Sequence, residues 1–313
     1  MEHRMSVIIP AYNEQDNVAA LAEAVRSSLA DANIPFELIF VDDGSSDQTW
    51  AAISAEAKAD SRIRGLRFSR NFGKESAIFA GLRAAKGDCC VVMDADLQHP
   101  PETLSRMYSL WKDEGFFIVE AKKRSRGNEK VSYRLFAQLF YGLLKVMSGQ
   151  DLRNGSDFRL LDRKVVDELN KMPERQTFFR AMSGWLGFKS AVVEFDVAER
   201  HAGRTKFSPR RLIKYALSSI ASFTAVPMQI VTGVGFAFFI FAVLLGVYTL
   251  IQKLTGHSAE GFTTVILLLL LIGSILMISL GIIGYYIARI YEEIKARPRY
   301  VLADEIRGQE DDQ

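Results

Sequence analysis

The chain has 313 residues, 49% hydrophobic and 24% charged, with 39 Lys and Arg against 37 Asp and Glu for a formal net charge of +2. Such a length carries one large or two modest domains with ample core, and the ordinary charged fraction excludes disorder and low-complexity fibre. The near balance of charge argues against a nucleic-acid binder, which carries a clear basic excess.

The average conceals an uneven distribution. No Asp, Glu, Lys or Arg occurs from Tyr215 to Gln252, nor again from Gly261 to Ala288. Charge therefore concentrates in the first two-thirds of the chain, and membrane attachment is expected. Cys89 and Cys90 are adjacent in an apolar run. Neighbours in a strand point to opposite faces and cannot pair, so two buried thiols are expected. With no other cysteine there is no disulfide framework and no Cys-based zinc cluster. Met1–Ala11 lacks the apolar stretch and cleavage site of a signal peptide, which predicts a cytoplasmic start.

In chain order, Met5–Pro10 reads as a strand, and Gln15–Ala30 as a helix with Val18, Leu21, Val25 and Leu29 on one face. Phe36–Val41 is a strand, and a helix begins near Asp47, which is suited to its N-cap. The alternation continues through Arg62–Phe68, Glu75–Ala85, Asp88–Met93, Pro101–Lys112 and Phe116–Val119. Short apolar strands alternating with amphipathic helices predict an α/β fold, a parallel sheet covered on both faces with ligands at the carboxyl ends of its strands.

Next come a helix at Tyr133–Met147, a strand at Phe158–Leu161, helices at Arg163–Asn170 and Gln176–Gly184, and a strand at Ala191–Phe195. Ser208–Phe223 reads as a basic amphipathic helix suited to the membrane interface. Pro227–Leu250 and Thr263–Ala288 each exceed the roughly 20 apolar residues that cross a bilayer. Arg210, Arg211 and Lys214 precede the first span, and Arg289, Lys295, Arg297 and Arg299 follow the second, whereas the connector carries only Lys253. The positive-inside rule then places both termini inside. The predicted division is a catalytic domain over 1–207, an interfacial helix over 208–225, a two-helix hairpin over 226–291 and a cytoplasmic C-terminal tail over 292–313, with Asp304–Gln313 expected to be solvated and mobile.

Three polar motifs lie at strand ends. In Met93-Asp94-Ala95-Asp96-Leu97-Gln98-His99-Pro100, two carboxylates flank one small residue, and Gln98 adds an oxygen. Such donors suit Mg2+ or Mn2+, ions that also bind nucleotide phosphates. His99 is expected to be a structural loop residue. Ile9-Pro10-Ala11-Tyr12-Asn13-Glu14 and Val41-Asp42-Asp43-Gly44-Ser45-Ser46-Asp47 follow the first two strands, where acidic groups can accept from ribose hydroxyls or a base edge. No G-x-G-x-x-G after a strand, P-loop, G-x-S-x-G or H-E-x-x-H occurs. Dehydrogenase, NTPase, hydrolase and metalloprotease readings lose their main support.

IIPAYNE, VDDGSSD, RNFGKESAIFAGL and VMDADLQHPPE, in this order and spacing, resemble glycosyltransferase family 2 with the GT-A (Rossmann-like) fold. The later SDFRLLDR, RHAGRTKFS and two-helix anchor narrow the likeness to the polyprenyl-phosphate glycosyltransferases, the group of bactoprenol glucosyltransferases and dolichyl-phosphate mannose synthases. The resemblance implies that Pro10, Tyr12, Glu14 and Asp43, with Asp42 and Ala95 nearby, hold the donor. It implies that Asp94, Asp96 and Gln98 hold the metal on the diphosphate, and that Asp157 stands near the acceptor. Arg200 and Lys206, in R-x-x-G-x-[ST]-K, would grip phosphates, and Arg126 would contact the acceptor phosphate. The implied reaction is inverting transfer of one sugar from a nucleotide-sugar, UDP before GDP, to a polyprenyl phosphate at the inner membrane. A processive polysaccharide synthase is disfavoured, because Gln176-Thr177-Phe178-Phe179-Arg180 misses the Q-x-x-R-W spacing and two helices cannot enclose a polymer channel. A non-catalytic membrane scaffold is the remaining alternative. Gly233, Gly235, Gly273, Gly281 and Gly284 could support helix pairing in a homo-oligomer.

Overall fold

The computed structural model describes residues 3–124, 156–174, 177–196, 226–255 and 261–308. The chain forms two units, one of 1–207 with 297–313 and the other of 208–296. The first begins with four strand–helix repeats: β1 (Met5–Ala11), α1 (Val18–Asp31), β2 (Phe36–Asp42), α2 (Thr49–Ala59), β3 (Ile63–Phe68), α3 (Lys74–Ala84), β4 (Cys89–Val92) and α4 (Thr103–Lys112). It continues through β5 (Ile118–Lys123), β6 (Arg159–Asp162), α5 (Arg163–Lys171), α6 (Phe179–Trp185) and β7 (Ser190–Phe195), and closes with β8 (Leu302–Arg307). In the second unit stand α7 (Val226–Leu254) and α8 (Phe262–Ile294). The expected helices at Tyr133–Met147 and Ser208–Phe223 lie outside the described residues.

Every residue of β1 and β2 is buried, which is why both are mostly apolar, with Ser6, Glu37 and Asp42 the exceptions, rather than alternating. Helix α3 packs so closely on β1 that a Cβ on Gly81 would lie 2.2 Å from Ile8 Cγ2. Buried Glu37 ties the strand starts together, accepting from Ser6 Oγ at 2.6 Å and from the Lys86 N–H at 2.6 Å. Burial opposes its ionisation, but these donors with Arg4 and Arg64 hold its carboxyl below the usual range. Cys89 and Cys90 are both buried and unpaired with each other, as expected.

The eight strands run in the order β7-β5-β6-β4-β1-β2-β3-β8. β4, β1, β2 and β3 are mutually parallel, but β6 runs antiparallel to both β4 and β5, and β8 antiparallel to β3. The sheet is therefore mixed, a correction to the all-parallel expectation. Antiparallel partners arrive from distant sequence, and strand composition does not encode their direction. From β1 the chain steps to β2 on one side and returns to β4 on the other. Such a reversal opens a crevice at the carboxyl ends of the two central strands.

The tail expected to be mobile is the second correction, since part of it is an ordered though largely exposed strand. Leu302–Arg307 is an edge strand paired with β3, Ile306 opposite Gly65. A Cβ on Gly65 would lie 2.9 Å from Ile306 Cγ2 and 2.6 Å from Ile53 Cγ2, so glycine makes room for the incoming strand. Arg64 and Arg67 pair with Glu305 and Asp304 at 3.1 and 3.7 Å, and Tyr300 stacks on Phe68 at 5.0 Å.

Helices α7 and α8, at about 1.5 Å per residue, measure roughly 43 and 50 Å, more than the ~30 Å of a hydrocarbon core. Their apolar stretches, Val231–Tyr248 and Leu271–Ile294, bury none of their residues within the protein and are candidate membrane spans.

Candidate active site

The loops after β1 and β2 are knitted into one surface. The Asn13 N–H donates to Ser45 Oγ, and Asn13 Oδ1 accepts from the Ser46 N–H, both at 3.0 Å. The Glu14 N–H donates to Thr49 Oγ1 at 2.9 Å, and Glu14 Oε2 accepts from Asn17 Nδ2 at 2.6 Å. Asn13 achieves this with φ of 56°, in the left-handed region that Asn tolerates. Asp47 accepts from the Thr49 N–H at 3.0 Å, but the N-cap of α2 is Gln48, one residue later than the sequence suggested.

The two acids after β2 differ in their tasks. Asp42 is fully buried, with Oδ1 accepting from the Ser45 N–H at 2.9 Å and Oδ2 3.5 Å from Arg67. Asp43 accepts from the Phe72 and Gly73 N–H groups at 2.6 and 2.9 Å, tying down the loop before α3. Burial pushes the Asp43 carboxyl up against the pull of those amides, and Asp42 adds to the push. Pro10 lies within buried β1, and Tyr12 beside it is 41% exposed at the crevice end of the strand.

The D-x-D turn follows β4. Asp96 Oδ1 accepts from the Gln98 N–H at 3.1 Å, and Leu97 between them has φ of 58°. A branched apolar residue in that conformation is strained, and such strain collects at ligand sites. Buried Ala95 anchors the turn. His99 is buried and structural, as expected. Its Nδ1 accepts from the Asp94 N–H at 3.1 Å, Nε2 lies 3.2 Å from Ser156 Oγ, and the ring stacks on Phe158 at 4.7 Å.

Strand β6 brings in Asp157. Val92 stands opposite Arg159, and the same register carried two residues further sets Asp94 across from Asp157. Between the two carboxylates lies Lys74, the first residue of α3, with Nζ 2.6 Å from Asp94 Oδ1 and 2.6 Å from Asp157 Oδ2. Arg180 grips Asp157 from the other side, Nε to Oδ1 at 2.6 Å and Nη2 to Oδ2 at 3.1 Å. Burial opposes ionisation of Asp157, yet Lys74 and Arg180 outweigh it and hold this carboxyl well below the usual range. Burial likewise works against the Lys74 ammonium, and Asp94 and Asp157 overcome it and raise its pKa. Next to this cluster Glu75 accepts from the Phe179 N–H at 2.8 Å, and burial with the nearby Asp157 charge pushes it up to about 7.

Arg159, only 5% exposed, is the scaffold beneath. It donates to Glu120 Oε1, Ser183 Oγ and the carbonyls of Ser156 and Arg180, fixing the segments that present Asp157 and Arg180. The geometry thus offers oxygen ligands for a cation at the D-x-D turn, with two cationic side chains beside it for anions.

The profile of glycosyl transferase family 2 matches residues 6–170, and that of the GtrB C-terminal hairpin matches 226–290. The chain belongs to glycosyltransferase family 2. Among family 2 relatives, a prophage bactoprenol glucosyl transferase homolog of Escherichia coli (strain K12) is 36% identical, covering 96% of this chain and 98% of that protein. The bactoprenol glucosyl transferase of Shigella phage SfII is 35% identical, covering 97% and 99%. Among solved structures, glucosyl-3-phosphoglycerate synthase from Mycobacterium tuberculosis, crystallised with Mn2+, UDP and glucosyl-3-phosphoglycerate, superposes with a TM-score of 0.53 at 22% identity, covering 70% of this chain and 78% of that one. That likeness establishes the GT-A-like fold.

Within this family 2 enzyme the structure collects Asp94 and Asp157 in one cluster, with Asp96 and Gln98 on the adjoining turn. Arg126, Arg200 and Lys206 lie outside the described residues. Sequence reading missed Lys74, Arg180, Glu75 and Arg159. Lys74 and Glu75 stood inside the RNFGKESAIFAGL segment, and a charged pair opening a helix straight after a strand-end loop was the available signal. Arg180 was seen only as part of a misspaced polymerase motif.

Proposed function

We propose that the chain transfers one hexose, with inversion, from a UDP-sugar to a polyprenyl phosphate at the cytoplasmic face of the membrane, GDP-sugars being the second choice of donor. The reading rests on the Asp94–Lys74–Asp157–Arg180 cluster at the sheet's reversal, joined in one chain to two helices long enough to span a bilayer. Full-length relatives named for glucosyl transfer involving bactoprenol support it.

Tyr12 would stack on the base, with Pro10, Glu14, Asp42 and Asp43 shaping the nucleoside pocket. Asp94, Asp96 and Gln98 would hold Mg2+ or Mn2+. The all-oxygen donor set fits such an ion, and buried Asp94 Oδ1, although close to Lys74, receives no well-aligned hydrogen bond. When bound, the ion would neutralise charge on the departing diphosphate. Among the described residues no three His, Cys, Asp or Glu side chains converge, so Gln98 and the donor's own oxygens would complete the shell.

The nucleophile is a phosphate-monoester oxygen. Its second pKa near 6 leaves it mostly ionised at neutral pH, so no strong general base is needed. Asp157, already engaged by two cations, would hold Arg180 toward that phosphate. Arg126, Arg200 and Lys206 would add phosphate contacts. Both termini and the catalytic unit would lie in the cytoplasm, keeping the acceptor's head at the site while its tail stays in lipid.

Steady-state transfer with purified Asp96→Ala tests the site. We expect turnover to fall at least about a hundredfold, the scale of losing one electrostatic stabiliser, with an unchanged melting temperature. Undiminished transfer would remove Asp96 from the chemistry.

A further inference from the structure

Lys74 is the feature of the site that neither the donor nor the acceptor assignment explains. Its side chain is 42% exposed overall, yet its ammonium ends between two carboxylates, 2.6 Å from each. Asp94 is one of the residues that would hold the metal, and the ammonium lies against its Oδ1, a buried oxygen with no other donor aligned on it. A bare divalent ion reaching that oxygen meets a resident positive charge within contact distance. A divalent ion arriving with a diphosphate meets a different balance, because the phosphates supply negative charge that the ammonium can turn to. Lys74 is anchored for such a move: it opens α3, Asp157 retains it when Asp94 is taken, and Arg180 shares Asp157 from the opposite side. The backbone behind it is fixed as well, since Asp43 holds the Phe72 and Gly73 N–H groups.

We propose that Lys74 is a placeholder cation that makes divalent-metal binding depend on the nucleoside diphosphate, by occupying Asp94 until both arrive together. This rests on the reading of Asp94 as a metal ligand given under Proposed function. The consequence is a coupling between two ligands, which must be reciprocal: the metal tightens the nucleotide by the same factor that the nucleotide tightens the metal.

Mn2+ binding to the full-length protein in detergent, followed by electron paramagnetic resonance with and without saturating UDP, tests the inference independently of turnover. In the unaltered chain Mn2+ alone should bind at least about tenfold more weakly than Mn2+ with UDP. Lys74→Met should tighten Mn2+ alone by a similar factor and shrink the coupling toward unity, while Lys74→Arg retains it. Lys74→Gln serves the same purpose should the Met variant not fold, and the unaltered chain carries the first comparison without any variant. Equal Mn2+ affinity with and without UDP in the unaltered chain would overturn the proposal, as would unchanged coupling in folded Lys74→Met or Lys74→Gln. No Mn2+ binding to the unaltered chain even with UDP would overturn the metal reading itself, and this proposal with it.

Discussion

Asp157 holds Lys74 and Arg180 at once, and under the proposed function that double engagement favours positioning over proton transfer. A carboxylate kept ionised by two cations is a poor proton acceptor, and an ionised phosphate does not require one. Asp157→Asn should therefore misplace both cations. We expect kcat to fall by about a hundredfold or more, with the acid-side loss of rate set by the phosphate's own second pKa near 6 and kept in the variant. A kcat–pH profile of the unaltered enzyme descending below neutrality with one proton, and restored flat in the variant, would return Asp157 to the role of base. At this scale the sequence was partly legible. Asp94 and Asp96 stood out as acids at a strand end, Asp157 was named only through the family resemblance, and His99 was recognised as a loop support. Lys74 and Arg180 were not, because a cation gains its meaning here from carboxylates 20 and 23 residues away that only the fold brings near.

The elements of the first unit were legible wherever one strand is covered on both faces. Mostly apolar runs announced β1, β2 and β4, and the helical spacing of Val18, Leu21, Val25 and Leu29 announced α1, all four side chains being buried. Strand direction and the returning β8 were not legible, since Leu302–Arg307 (Leu-Ala-Asp-Glu-Ile-Arg) carries neither an apolar run nor strict alternation and finds its place only against Gly65 and the arginines of β3. Element junctions also carry acid sensitivity. Asp60, just after α2, bonds Arg62 and Arg26, and these hold its carboxyl at about 2 against partial burial. A folded pKa below the unfolded one means the contribution is complete above about pH 4 and is lost as pH falls toward 2. Asp60→Asn should cost about 1–2 kcal/mol at neutral pH after allowance for solvent screening, with the difference vanishing near pH 2. Melting temperatures of both proteins from pH 7 to pH 3 check this. A gap that stays constant with pH would assign the loss to packing.

At the scale of the molecule, a family 2 catalytic unit and an apolar helical hairpin share one chain, and the final strand of that chain returns to the catalytic sheet. The charge gaps made the hairpin legible from sequence, since a span leaves a continuous compositional mark, whereas the return of the last strand leaves none. The proposed topology puts the connector outside and both ends inside. Because Cys89 and Cys90 are buried, single introduced cysteines report cleanly. An impermeant maleimide on intact cells should label Ser258→Cys and spare Gln313→Cys, and the reverse pattern would invert the topology. One assay tests the acceptor directly. Purified protein is given undecaprenyl phosphate, Mn2+ or Mg2+, and a panel of UDP- and GDP-sugars labelled in the sugar. Label should enter the lipid phase from one UDP-hexose, only when both metal and lipid phosphate are present. Nucleotide release with no label in the lipid, in protein that is folded and binds UDP, would contradict it.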